Sequence, residues 1–380
     1  MMKISSAGNV LFIFSLLTAA ICAQPVDPAP SEPAIREALC AMYDMDFGRA
    51  HDLFSSALGE ENFHPLAPLG AIATEWMLSQ ARDGYDRGNQ RLLQELNNTL
   101  DRYRIRMQLH PDETELDFYY GTTMGLKARI LLGRKEWLGV ITSGYNALRY
   151  VKKARRLHPD NIDMMLPMGA FNYYIGVSAG YMKIASWILN ESGSREDGLR
   201  MMEEVGRAGN YGNQEARSLL AFVYLYMEND PAKALEHAEF LSDEFPGNVY
   251  FQFLVAEAII SLGELEQART RIDRIRERLD FLEPFLYREY MLKLHLLDGR
   301  MAILTRDYAG AENDLRYVID NYSLESDIHL GYAYLYLGNL YDMTDRRPEA
   351  LKCYQVAARL DNRSTACTQA RNFINAPFRS

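Results

Sequence analysis

Tyr332 to Leu360 reads YAYLYLGNLYDMTDRRPEALKCYQVAARL. Apolar residues recur at the three- and four-residue steps of an amphipathic helix, first up to Tyr341 and again from Ala350, on either side of a polar turn. Within the pair, Gly338 and Ala350 lie twelve residues apart. Tyr334, Leu337 and Tyr341 surround the glycine, and Tyr354 and Ala357 follow the alanine. Small side chains where two helices cross let the backbones approach, and large neighbours fill the flanking holes. The same register returns upstream. Ala311 follows Gly299 by twelve residues and is succeeded by Leu315 and Val318. Ala268, with Ile272 and Ile275 after it, stands 34 residues beyond Ala234, which is itself followed by Ala238, Leu241 and Pro246. Val255 and Ala256 take the places of Leu337 and Gly338, and Ala50, Phe54 and Ala57 fit the second helix of a first unit.

Ala34 onward shows almost no alternating strand-like pattern, and Pro65, Pro111, Pro159 and Pro246 punctuate runs of helical length. The fold class is therefore all-α. In the middle of the chain Leu109-His110-Pro111-Asp112 recurs 48 residues later as Leu157-His158-Pro159-Asp160. A glycine follows each proline by ten residues, Gly121 and Gly169, so these are oversized units.

The stretch from Tyr334 to Ala357 closely resembles the tetratricopeptide repeat family, whose pattern wants an aromatic, Leu-Gly, Tyr, and then two alanines around an aromatic. The resemblance extends over about Ala34–Ala357, strong in the last third and weak between Asp86 and Asn210. It implies an α-α superhelix of antiparallel helix pairs whose first helices line an inner face. Enlarged repeats would occupy 34–210 and more regular ones 211–362, with a capping helix over about 364–375. The middle is also similar to a eukaryotic tetratricopeptide family that includes a yeast mitochondrial outer-membrane protein of inclusion-body clearance. Gly169-Ala-Phe-Asn172, Gly193 through Gly198 and the helix through Ala216–Leu220 carry that similarity. The chain departs from that family in its N-terminal segment and shorter body, and the similarity implies a fold only.

Residues 1–23 read as a secretory signal: Lys3, then the apolar run Val10–Ala20, eleven residues where a membrane span needs about 20. Cleavage after Ala23 leaves Gln24 first. Gln24–Pro33 carries four prolines and reads as an extended linker. The expectation is an exported chain, periplasmic in a bacterial cell, with secretion or anchoring to the envelope as alternatives. In an oxidising compartment Cys353 and Cys367 are the nearest pair, either bridged or buried as free thiols.

A net charge of −10 argues against nucleic-acid binding. The basic run Arg149–Arg156 (RYVKKARR) sits in the last turns of a helix, where cations belong, and reads as structural or as a contact for anionic headgroups. No phosphate loop, no zinc-binding spacing and no nucleophile motif is present, so no catalytic residues, metal ligands or cofactor are assigned. Met164–Leu189 is the exceptional segment, with nineteen uncharged residues from Met164 to Met182 interrupted by Pro167 and three glycines. It reads as a buried helix or as a groove lined by Phe171, Tyr173, Tyr174, Tyr181 and Trp187, joined by Tyr119 and Tyr120 beside Gly121. Exposed rings at Tyr119, Tyr120, Tyr173 and Tyr174 are what the groove requires. The resulting expectation is a non-catalytic scaffold for a protein or peptide partner in the envelope, with peripheral membrane association. The alternative is a binder of a small apolar ligand or lipid through 164–189.

Overall fold

The computed structural model describes residues 32–59, 63–134, 136–177, 193–360 and 362–379. Helices and turns make up this part, with no strand among the described residues. Tyr181 and Trp187, the signal segment and all of the linker except Glu32 and Pro33 lie outside it. Those two residues open the first helix rather than closing the linker. Contacts divide the chain into two compact units, one reaching Leu220 and including Asp243–Asn248, the other formed by Ala221–Ser242 and everything from Val249 on.

In the first unit the helices are α1 (Glu32–Tyr43), α2 (Phe47–Leu58), α3 (Ala67–Asp83), α4 (Tyr85–Leu109), α5 (Leu116–Gly133), α6 (Trp137–Leu157), α7 (Met165–Val177) and α8 (Arg195–Ala208), with α9 (Asn213–Val223) leading out. From α1 to α6 each helix packs on the next, and α7 packs on α8. Pro65, Pro111 and Pro159 all fall in the turns between helices. The repeated Leu-His-Pro-Asp turns share one geometry. His110 and His158 end α4 and α6 at nearly equal backbone angles, each donating its N–H to the carbonyl four residues back.

The crossings depend on small residues. A Cβ on Gly121 of α5 would stand 2.9 Å from the Ala147 carbonyl oxygen of α6, and one on Gly169 of α7 would stand 2.9 Å from Met201 of α8. A buried carboxylate fastens the loop after α8: Asp163 accepts from the N–H groups of Asn210, Tyr211 and Gly212 at 2.9, 3.1 and 3.2 Å. Asp243–Asn248 returns to the end of α1, where Gly247 N–H donates to Asp44 and the Asn248 amide donates to the Tyr43 carbonyl, both at 2.6 Å.

Glu215 is buried in this unit, where it accepts from the Tyr43 hydroxyl at 3.4 Å. Burial pushes its carboxyl well above the ordinary range, against the smaller opposing effect of that hydroxyl. The folded chain then keeps a proton that the unfolded chain, titrating near ~4.3, gives up. The contribution of Glu215 to stability is complete below that value and is lost as pH rises through the raised pKa. Glu215→Gln keeps the shape and removes the titration. Its melting temperature is expected to exceed that of the wild type at alkaline pH, the gap closing toward the carboxylate range in a pH series of thermal melts. A gap of constant size would refute this assignment.

In the second unit a π-helical turn, Tyr224–Glu228, precedes α10 (Pro231–Glu244), α11 (Val249–Leu262), α12 (Leu265–Arg278), α13 (Pro284–Leu304), α14 (Tyr308–Asp320), α15 (Ile328–Met343), α16 (Arg347–Leu360) and α17 (Thr365–Asn375). The main pairs are α11 with α12, α13 with α14, and α15 with α16, and α17 covers α16. A Cβ on Gly338 would stand 2.5 Å from the Tyr354 ring, and one on Gly299 would stand 2.9 Å from Leu315. Cys353 and Cys367 are buried free thiols and do not pair. Cys367 donates to the Asn362 side chain at 3.1 Å, and Cys353 packs in α16 with its thiol pushed up to about 11 by burial.

Candidate functional site

The aromatic residues selected from sequence are core. Tyr119 and Tyr173 are 0% exposed, Tyr120 and Tyr174 are also buried, and Phe171 is half-buried. The Tyr120 ring packs edge-on against Tyr150 of α6, and its hydroxyl accepts from Arg104 of α4 at 3.0 Å. The Tyr173 and Tyr174 rings meet edge-on, 5.4 Å apart. An open groove lined by these four rings is therefore ruled out. The physical reason lies in α5, where every residue from Leu116 to Thr123 is buried. A helix enclosed on all sides has no inner face to offer. Of the apolar segment, α7 is packed against α8, and the remainder lies outside the described residues. Among the described residues no helix is long and apolar enough to cross a membrane.

The second unit is closed in the same way. Val249 through Ile260 of α11 are all buried. The Tyr332 hydroxyl of α15 is hydrogen-bonded to the Thr365 hydroxyl of α17 at 2.7 Å, and the Tyr226 carbonyl, 3.4 and 3.3 Å from the two, accepts the proton that this bond leaves over. The beginning and the end of the unit are thus tied together. Inside it lies a charged and aromatic cluster that sequence reasoning overlooked. Glu257 of α11 is buried and pairs with Arg300 of α13 at 3.1 Å. Burial drives the Glu257 carboxyl upward, and Arg300 draws it back only in part. Lys293 pairs with Glu289 at 2.6 Å and lies over the rings of Tyr290, Tyr250 and Phe253. His329, in edge contact with Tyr226, is held well below its ordinary pKa, first by burial and then by the Lys293 charge, so it is neutral. The available signal was a carboxylate, Glu257, inside the otherwise apolar VYFQFLVAEAIISL. Chemically this is a largely enclosed ionic cluster in which Glu257 and Lys293 are buried and Arg300 and Glu289 are half-buried. Among the described residues no group of His, Cys, Asp and Glu is placed to hold a metal ion.

What stays open is the outside. Exposed apolar side chains gather on α4 (Ile105, Leu109) and α6 (Trp137, Leu138, Ile141, Tyr145, Leu157), and in the second unit Phe281 stands out in the turn before α13. The cations Arg149, Lys152, Lys153 and Arg156 line the C-terminal half of α6, around a cavity of about 510 Å³.

Helix pairs crossing at small residues are the geometry that a family model also recognises: the tetratricopeptide repeat model matches residues 225–281. Over that segment the chain is similar to the tetratricopeptide repeat. The match takes in α10, α11 and α12, where Ala234 and Ala268 mark the 34-residue period. No curated protein sequence matches the chain. Among solved structures, yeast Tom70 is similar at 11% identity and a TM-score of 0.37, over 92% of this chain and 82% of that one. A tetratricopeptide repeat protein from Parabacteroides merdae matches at 15% and 0.34, over 80% and 98%. The apo quorum sensor NprR from B. thuringiensis matches at 15% and 0.42, over 87% and 98%. The tetratricopeptide fold is that of an interaction scaffold: helix pairs bury their apolar faces on their neighbours and leave an extended surface.

Proposed function

We propose that this tetratricopeptide chain is an exported scaffold that gathers protein or peptide partners in the cell envelope, in the periplasm of a bacterial cell, without a catalytic step of its own. The tetratricopeptide segment at 225–281 carries this reading. Export rests on the charge and apolar pattern of residues 1–23. Because the inner faces of both units are filled by their own side chains, partners meet the outer helices and turns, where large apolar side chains are exposed. The filled packing of α7 against α8 favours a scaffold over a binder of small apolar ligands, since the described part of that segment leaves no room for a ligand.

Two measurements test the proposal. N-terminal sequencing of the native chain is expected to begin at Gln24, in the exported fraction. Crosslinking followed by affinity purification from intact envelopes is expected to retain one or a few envelope proteins reproducibly. A chain that keeps Met1 and stays in the cytoplasm overturns the export, and a chain recovered alone after crosslinking overturns the scaffold.

A further inference from the structure

The outer face of α6 combines an exposed apolar stripe with a cluster of cations. At 100° per residue, Leu138, Ile141, Tyr145, Arg149, Lys152 and Arg156 follow one another along one side of the helix. The opposite side, Ser143, Ala147, Val151 and Ala154, is the one buried against the fold. The stripe runs about 27 Å at ~1.5 Å per residue, apolar in its first half and cationic in its second. Leu138 is 78% exposed, and Ile141 and Tyr145 are also exposed. In a chain of net charge −10, four cations surround the cavity on this face, together with Tyr145 and Tyr150. Among the described residues no carboxylate lines it. Lys153 is steadied by the buried Asp117 at 2.7 Å, while Arg149 and Arg156 make no ion pair among the described residues.

We propose that this face docks on an anionic membrane surface, with lipid phosphates held among Arg149, Lys152, Lys153 and Arg156 and with Leu138, Ile141 and Tyr145 inserted at the headgroup boundary. An acidic peptide would satisfy the cations and leave the apolar half of the stripe in water. A bilayer surface meets both halves at once, because its phosphates lie beside its hydrocarbon. Tyrosine and arginine are side chains that place an apolar body and a polar tip at such a boundary. The inference is independent of the protein-scaffold reading, since it concerns a surface whose occupant is lipid and its test uses no protein partner.

The experiment is flotation of the mature full-length chain with vesicles of phosphatidylcholine alone and of phosphatidylcholine mixed with phosphatidylglycerol, across a salt series. Binding is expected only with phosphatidylglycerol and is expected to fall as salt rises. The triple variant Arg149→Gln, Lys152→Gln, Arg156→Gln is expected to bind about a hundredfold less, each cation contributing roughly fivefold. Leu138→Ser with Ile141→Ser is expected to lose about tenfold with the salt dependence unchanged. All five side chains are exposed or half-buried, so unchanged thermal melts serve as the control for folding. Equal binding to neutral vesicles, or charge variants that bind like the wild type, would overturn the proposal. Capture of polyglutamate by the same cations without vesicle binding would also overturn it and assign the face to an acidic protein.

Discussion

Glu257→Ala is expected to lower the stability of the folded chain by about 3–5 kcal/mol, because it leaves the Arg300 guanidinium inside the second unit without its carboxylate. Arg300 has little to fall back on. Its other neighbours among the described residues include the Glu257 carbonyl at 3.5 Å and Tyr336, whose ring centre lies 5.1 Å away. Neither replaces a full negative charge in a medium where charges are poorly screened. Replacing both partners tells the opposite story. Glu257→Leu with Arg300→Met removes the buried carboxylate and its half-buried partner together, and its stability is expected to equal or exceed that of the wild type. A urea titration followed by far-ultraviolet circular dichroism measures both. A single-variant loss below ~1 kcal/mol would mean that Arg300 reaches water and that the interior is hydrated rather than sealed. The result therefore bears on function. A sealed interior confines partners to outer surfaces, whereas a wet one would restore an inner binding face.

The helix pairs were legible in the sequence because their crossings impose a steric rule on particular residues. Gly338 could not be larger without striking the Tyr354 ring, so the rule appears as a glycine at a fixed distance from the next helix. The turns at Pro111 and Pro159 were legible for a similar reason, since proline cannot supply the N–H that the interior of a helix needs. The fate of the tyrosines was not. A tyrosine in an apolar run looks the same whether its ring faces a groove or a neighbouring helix, and burial on all sides depends on how many helices gather around it. The absence of any continuous polar side along Leu116–Thr123 was the local sign that α5 is central. α6 misleads in the reverse direction. It has two candidate apolar stripes, one through Ala147, Val151 and Ala154 and one through Leu138, Ile141 and Tyr145. Only tertiary packing chooses between them. Once the small-residue stripe meets Gly121 of α5, the bulkier one must face solvent.

The same rule about crossings separates two glycines eight residues apart on α8. Gly198 lies against α7, and a Cβ there would fall on the Tyr173 backbone nitrogen, with the Gly169 carbonyl oxygen 2.7 Å away. Both obstacles are backbone, so no rotamer relieves them and the two helices must separate. Gly206, also buried, would place its Cβ at 3.5 Å from Arg217 and Leu220, ordinary contact. Gly198→Ala is therefore expected to cost about 3 kcal/mol or more, at the upper end of overpacking. Gly206→Ala is expected to add about 0.5–1 kcal/mol, because alanine loses less backbone entropy in a helix. Both variants make the same change of side chain on the same helix, so helix propensity cancels between them and the difference, roughly 4 kcal/mol, isolates the steric term at the α7–α8 crossing. Parallel urea titrations measure it. If Gly198→Ala proves as stable as Gly206→Ala, the two helices do not approach through the Gly169 and Gly198 pair, and the packing assigned to α7 is wrong.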